Sequence, residues 1–94
     1  MVKSLQKGNW VSWFVYILRC ADDSLYTGIT TDKSRRLTQH NKGIAAKYTR
    51  VRTPVEMVYS EDSPDRSAAS KREIAIKKLT RNKKLALINS KNTD

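Results

Sequence analysis

The sequence predicts a small α/β (α+β) domain: a three-stranded, mainly antiparallel sheet flanked by helices, in the order β-β-α-β-α-α. Three observations lead there. Two runs rich in branched and aromatic residues, Trp10–Cys20 and Leu25–Thr30, are separated only by the turn-forming Ala21-Asp22-Asp23-Ser24, which reads as a hairpin. A third such run, Val55–Tyr59, follows Pro54. Two segments with apolar residues at helical spacing, 66–80 and 83–89, complete the pattern. At 94 residues one domain is the default, with room for one modest core.

Each element has its local reason. Residues 1–9 are polar and unpatterned; a loose N-terminus is expected over 1–11, the domain over 12–89 and a tail at 90–94. The first strand is nearly continuous in apolar character (Trp13 to Leu18), as a strand covered on both faces requires. The returning strand contains Gly28, which marks a bulge or a close approach of backbone or ligand. Thr31-Asp32 reads as a helix N-cap, and the helix runs from Lys33 to about Asn41, stopping near Gly43, with Leu37 its main candidate for burial. Lys42–Arg52 reads as a basic loop. In the third strand Val55, Met57 and Tyr59 alternate with Glu56 and Val58, so one face is expected to carry all three. Ser63-Pro64-Asp65 is a helix entry, with Ser63 or Asp65 as cap. The helix from Arg66 to about Thr80 has Ala69, Ala75, Ile76 and Leu79 as its stripe. Arg81-Asn82 interrupts, and a last helix from Lys83 to about Asn89 carries Leu85, Leu87 and Ile88.

The charge restricts the partners. Nineteen Lys and Arg face nine Asp and Glu, a formal charge of +10, split evenly at +5 for residues 1–47 and +5 for 48–94. Such a balance points to a polyanion: nucleic acid, an anionic membrane surface or an acidic protein. The densest stretch, Lys71 to Lys84, holds seven basic residues and one acid; a solvated helix face is the plain alternative there. No run approaches the ~20 apolar residues of a transmembrane helix. One cysteine excludes an internal disulfide and a cysteine-based zinc cluster, and one histidine excludes a multi-histidine metal site. The opening residues carry no secretory pattern, so a reduced, cytoplasmic location is the expectation.

Three features have chemical content. Arg36 and His40 lie four apart on a predicted helix, hence on one face. A guanidinium pairs with phosphate and a neutral imidazole accepts a proton; a surface pair on a polar helix is the alternative. Glu73 sits on or beside an apolar stripe and is the only acid between Asp65 and Asp94. It reads either as a salt bridge to Arg36 or a neighbouring lysine, or as the protein ligand of a hydrated Mg²⁺ or Mn²⁺. Tyr16 and Tyr26 occupy the two strands of one hairpin, as packed aromatics or as two phenols near a phosphodiester.

In this order, Val15-Tyr16-Ile17, then Tyr26-Thr27-Gly28, then Arg36 and His40, then Glu73 resemble the GIY-YIG nuclease superfamily. The stretch from Tyr26 to Asp32, running into Arg35-Arg36 and His40-Asn41, looks like its small standalone YhbQ-like branch; the resemblance spans about residues 12–88. It implies a divalent-metal-dependent endonuclease that hydrolyses phosphodiester bonds in DNA, with a possible preference for DNA structure and a link to repair or recombination. Tyr16 is implied as general base or aligner of the attacking water, Tyr26 as orienter of water or phosphate, and Gly28 as the residue that lets the strand bend. Arg36 is implied to stabilise charge on the scissile phosphate, His40 to assist proton movement, and Glu73 to hold one Mg²⁺ or Mn²⁺. A phenol with a reference pKa near ~10 needs nearby positive charge, here Arg36 or the ion, to act as a base. Lys33, Arg35, Lys42, Lys47, Arg50, Lys77, Arg81 and Lys84 are the expected grip on the nucleic-acid backbone.

The chain departs from the family pattern in its first triplet, which lacks the glycine, and at Ile29, where several nucleases carry Lys; Lys33 or Lys47 is a candidate replacement. An Asn of the last helix, common in the family, is represented by Asn82 or Asn89. The missing lysine favours the alternative of a nucleic-acid-binding module with weak or no catalysis. A basic scaffold for acidic protein or lipid ranks third, since no large apolar face is available to insert.

Overall fold

A computed structural model describes residues 11–91. Among these residues the elements are β1 (Trp13–Arg19), β2 (Leu25–Thr30), α1 (Lys33–Asn41), α2 (Lys47–Arg50), β3 (Glu56–Ser63), α3 (Arg66–Lys77) and α4 (Arg81–Ser90). Trp10 and the rest of the N-terminal segment, and the end of the tail, lie outside the described residues. The strands form one sheet in the order β2-β1-β3, antiparallel throughout.

The apolar run of β1 puts it in the centre, and both its faces are covered. Val15 and Ile17 face one way, onto Ala69 and Ile76 of α3, Ile88 of α4 and Tyr59. Tyr16 and Leu18 face the other way, with Cys20, Val55, Met57, Tyr26 and Leu37 of α1. The sheet thus has a helical pair on one side and the thinner, more polar α1 layer on the other. Tyr59 donates its phenol proton to Glu61, and Arg72 of α3 closes on the same carboxylate at 2.7 Å, which ties β3 to α3.

The strand β3 corrects the expected alternation. Ile17 pairs with Tyr59 but Leu18 pairs with Met57, so Val58 is the extra residue of a β-bulge. With a side-chain period of two, one added residue turns everything beyond it to the other face. Val55 and Met57 therefore pack with Leu18, while Tyr59 packs with Ile17. The strand also continues through the polar Ser60-Glu61-Asp62-Ser63, because these residues pair with Trp13 to Tyr16 through the backbone. An edge strand tolerates polar side chains there.

Helix boundaries follow their caps. Asp32 and Asp65 accept from the backbone of Arg35 and Ala68 at 3.0 and 2.8 Å, so Asp65 and not Ser63 is the cap of α3. At the end of α1, Gly43 (φ 79°) takes the left-handed conformation; its N–H bonds to His40 C=O and that of Ile44 to Gln39 C=O, a Schellman motif. The helix expected to reach Thr80 ends at Lys77, because Thr80 turns outward to cap α4 (Oγ1 to Lys83 N, 3.2 Å); α4 accordingly begins at Arg81. The expected loop Lys42–Arg52 contains the single turn α2.

Removing an exposed N-cap costs about 1 kcal/mol. Asp65→Ala should lower stability by that amount in urea denaturation with the native fold retained; an unchanged midpoint would show that the bond to Ala68 carries no weight.

Candidate active site

The register of the hairpin assembles the site. Tyr16 lies directly opposite Gly28, and Tyr26 opposite Leu18, so the two tyrosines share the face of the sheet that α1 covers. A Cβ at position 28 would lie 2.5 Å from the Tyr16 hydroxyl and 2.7 Å from Cζ. The glycine is required because the Tyr16 ring lies against it. The strand stays paired at this point, so the expected role in bending the strand gives way to close approach of a side chain.

Across from Tyr16 stands His40, in the last turn of α1. The helix buries this histidine (1% exposed) more deeply than Leu37, the residue expected to anchor it. Burial of an imidazole requires partners for its nitrogens, and both have one. Nε2 is 2.8 Å from Tyr16 Oη, and Nδ1 is 2.7 Å from Oγ1 of the fully buried Thr49 on α2. The Tyr26 ring meets His40 edge-on at 5.2 Å between centroids and stacks on Tyr48 at 5.9 Å. Thr49 and Tyr48 were invisible to sequence reasoning: they sit in a basic stretch whose one-turn helix has no apolar periodicity, and the hydroxyl next to the aromatic was the only signal.

Arg36, one turn before His40, is half-buried and donates to Gln39 Oε1 at 3.3 Å. Its charge reaches both Tyr16 and His40. Glu73 comes from α3 and is 21% exposed; it pairs with Lys77 at 3.4 Å, the lysine alternative of the two salt bridges expected from sequence. Its charge also acts on Tyr16. Lys77 Nζ in turn lies 6.0 Å from the Tyr26 ring centre. Tyr16, Tyr26, Gly28, Arg36, His40 and Glu73 therefore converge where α1, α2 and α3 meet the β1–β2 hairpin.

The electrostatics bear on one expectation: Arg36 by itself does not bring the Tyr16 phenol below its ordinary value. Burial pushes the Tyr16 phenol well above its ordinary range, with Tyr26 and Glu73 adding to the rise; the Arg36 charge acts in the opposite direction but is outweighed. In the protein without a bound ion the phenol keeps its proton, and His40 Nε2 at 2.8 Å gives Tyr16 a route to lose that proton as it takes another. Burial, then the Arg36 charge, push His40 below its usual value, so the imidazole is neutral at pH 7.

The expected backbone-gripping cations divide. Lys42 and Lys47 are exposed on the segment joining His40 to Thr49, Arg50 is exposed directly after it, and Lys77 lies beside Tyr26. Lys33 is engaged elsewhere: Nζ donates to Ser60 at 3.1 Å and sits 4.6 Å over Phe14. Arg35 pairs with the cap Asp32 at 3.9 Å. Arg81 and Lys84 belong to α4, which packs on the opposite face of the sheet; Asn82 and Asn89 of α4 are exposed. A groove of about 420 Å³ between α1 and β3 includes none of Tyr16, Tyr26, His40 or Glu73.

No group of three or more His, Cys, Asp and Glu side chains is placed to cage a metal among the described residues. The donor set is one half-buried carboxylate, Glu73, whose partner is the exposed, displaceable Lys77. That fits an ion held through one carboxylate, waters and substrate phosphate.

Residues 12–86 match the model of the GIY-YIG catalytic domain. The chain belongs to the GIY-YIG family. A UPF0213 protein of Desulfotalea psychrophila is 56% identical over 78 residues, 82% of this chain and 71% of that protein. Another from Clostridium perfringens is 55% identical, over 83% and 84% of the two chains. Among solved structures, the solution structure of a UPF0213 protein from Bacillus halodurans shares 43% identity at a TM-score of 0.57, covering 87% of each chain. A protein from E. faecalis shares 45% at 0.60, covering 88% of each. The chain is thus a GIY-YIG domain of the small UPF0213 group. GIY-YIG domains form a nuclease superfamily that acts on nucleic acid and generally uses divalent metal ions. No helix of the described residues is long and apolar enough to cross a membrane.

A depressed histidine pKa has a fixed sign in linkage. As the pH falls below ~6.5 the unfolded chain takes up the proton first. The stability due to neutral His40 is complete above that value and is lost as pH drops through the folded pKa. The chain has one histidine, so an NMR titration reads it without assignment. The midpoint should lie below ~6.5; a midpoint at or above it would contradict the burial.

Proposed function

We propose that this GIY-YIG domain is a divalent-metal-dependent endonuclease that hydrolyses phosphodiester bonds in DNA. The observation that carries the proposal is the 2.8 Å contact between Tyr16 Oη and His40 Nε2, buried and flanked by Arg36 and Glu73. It supplies a base that the pKa of the phenol alone forbids. Water attacks phosphorus and gives its proton to Tyr16 Oη, while the proton of Tyr16 passes to His40 Nε2, which neutral imidazole accepts. The bond to the leaving oxygen breaks, and that oxygen takes a proton from solvent. Arg36, whose guanidinium among the described residues is engaged by the amide oxygen of Gln39, answers the charge that builds on the phosphate. Tyr26, edge-on to His40, bounds the pocket and orients water or phosphate. Glu73 would hold Mg²⁺ or Mn²⁺, which supplies Lewis-acid polarisation of the phosphate and stabilises the leaving oxygen.

Lys42, Lys47 and Arg50 on one side and Lys77 on the other give the backbone grip, and substrate structure, rather than sequence, is the expected basis of choice. A role in repair or recombination and a cytoplasmic location fit this activity. The second reading, binding with weak or no catalysis, is favoured by Ile29 in place of a lysine and by the engagement of Lys33 with Ser60.

The decisive assay compares single-stranded, duplex, branched and RNA substrates with and without Mg²⁺ or Mn²⁺. Arg36→Ala and Glu73→Gln should each reduce metal-dependent cleavage by about 10²-fold or more while salt-sensitive binding persists. Equal trace activity in wild type and both variants would identify a contaminant and leave the binding module as the function.

A further inference from the structure

Thr49 carries a consequence for the proton path that rests on the nuclease reading above. The Thr49 hydroxyl has a single proton and two places to put it, the Ala46 carbonyl at 3.3 Å or His40 Nδ1 at 2.7 Å. With the proton on the Ala46 carbonyl, the Thr49 oxygen must accept from His40, so Nδ1 carries the imidazole hydrogen. In a neutral ring Nε2 is left with a lone pair, and it faces Tyr16 Oη at 2.8 Å. The phenol must donate. The reverse assignment, with Thr49 donating to Nδ1, costs the Ala46 carbonyl nothing essential, since it still accepts from Arg50 N at 3.1 Å; the difference lies at Tyr16. The reverse assignment turns Nε2–H toward Tyr16 Oη, and the phenol proton then has no acceptor among the described contacts. One arrangement satisfies every donor: Tyr16 to His40, His40 to Thr49, Thr49 to Ala46.

We propose that Thr49 is a positioning residue that locks His40 in the Nδ1–H tautomer and so makes Nε2 the obligatory acceptor of the Tyr16 proton. It touches neither substrate nor the reacting atoms; it acts through His40.

The segment that presents Thr49 is built to hold it still. A four-residue helix such as α2 has no stability of its own, so its position comes from tertiary clamps at its far end. At the far end Arg52 donates through Nη1 to Tyr48 C=O at 2.8 Å and through Nε to Asp22 at 3.1 Å, with its guanidinium 3.9 Å over the Tyr48 ring. Its carbonyl accepts from Ala21 N at 2.8 Å. The turn that joins the two tyrosine strands thus grips the helix that orients the histidine. Arg50, the last residue of α2, packs where a side chain on Gly43 would stand, its Cγ 3.3 Å from that position. Thr49 itself is fully buried, so no water competes for the imidazole. The groups facing His40 are Tyr16, Tyr26 and Arg36, together with Thr49.

The single histidine makes the test direct. Long-range ¹⁵N–¹H spectra of uniformly labelled protein at neutral pH distinguish a protonated from an unprotonated ring nitrogen, so the wild-type tautomer is readable without any activity. Wild type should show Nδ1 protonated and Nε2 not. Thr49→Ser, which keeps the hydroxyl, should keep that pattern and near-normal turnover. Thr49→Val, which keeps the shape, should mix or invert the tautomers and lower kcat about 10²-fold with KM little changed. Circular dichroism and thermal unfolding of the variants separate loss of the tautomer from loss of the fold. A wild-type ring protonated at Nε2 overturns the proposal, even if Thr49→Val proves unfolded. So does a folded Thr49→Val with an unchanged tautomer. If no substrate is cleaved while the Nδ1–H tautomer is found and depends on Thr49, the catalytic reading fails and the positioning of His40 stands.

Discussion

A polar helix buries a histidine, and the fold has to provide for it. α1 has little apolar surface to offer the sheet, and its most deeply buried side chain is an imidazole rather than an aliphatic group. Uncompensated, that burial costs several kcal/mol at most and about 1–3 kcal/mol by mutational measures. The compensation fixes the rest of the layer. Tyr16 must come from the central strand to meet one nitrogen, and Gly28 must lack a side chain to leave room for the ring. A threonine must come from a segment nine residues on to meet the other nitrogen. The Schellman ending of α1 and the Arg52–Asp22 clamp are the means by which that segment returns to the right place.

The sheet divides stability from chemistry. The α3–α4 side holds the aliphatic core around Val15, Ile17 and Ile76. The α1 side carries Tyr16, Tyr26 and His40, with a thin apolar lining of Leu18, Val55 and Leu37. The bulge at Val58 makes this division possible, because it allows one short strand to give Tyr59 to the first side and Val55 and Met57 to the second. Glu73 links the two: it rides on a helix whose Ala69 and Ile76 are core residues, yet its charge is felt at Tyr16. The basic surface is likewise uneven, since Lys33, Arg52 and Arg72 are spent on internal contacts and Lys42, Lys47 and Arg50 face solvent.

The succession of strands along the chain and the three longer helices were legible in residue pattern and turn chemistry, and the proposed site residues Tyr16, Tyr26, Arg36, His40 and Glu73 were picked out by their joint resemblance to the GIY-YIG pattern. They announced themselves as polar or aromatic groups at informative spacings. What stayed hidden involved departures from periodicity. The bulge of β3 is one residue of slippage that alternation cannot reveal. The Thr80 cap competes with continuation of a helix in which every residue from Arg66 to Thr80 is tolerable. α2 lacks any helical signal because tertiary clamps, and not propensity, hold it.

The sequence by itself determined an α+β fold with a hairpin that carries one tyrosine on each strand and an Arg–His pair on the next helix. Those follow from local rules, the period of a strand and the period of a helix, that act over a few residues. Tertiary structure alone decided which way the protons point. Whether Tyr16 donates or accepts depends on Thr49, and whether its phenol ionises depends on burial outweighing Arg36. Tautomer and pKa are properties of an environment assembled from four distant segments, and no spacing along one chain encodes them.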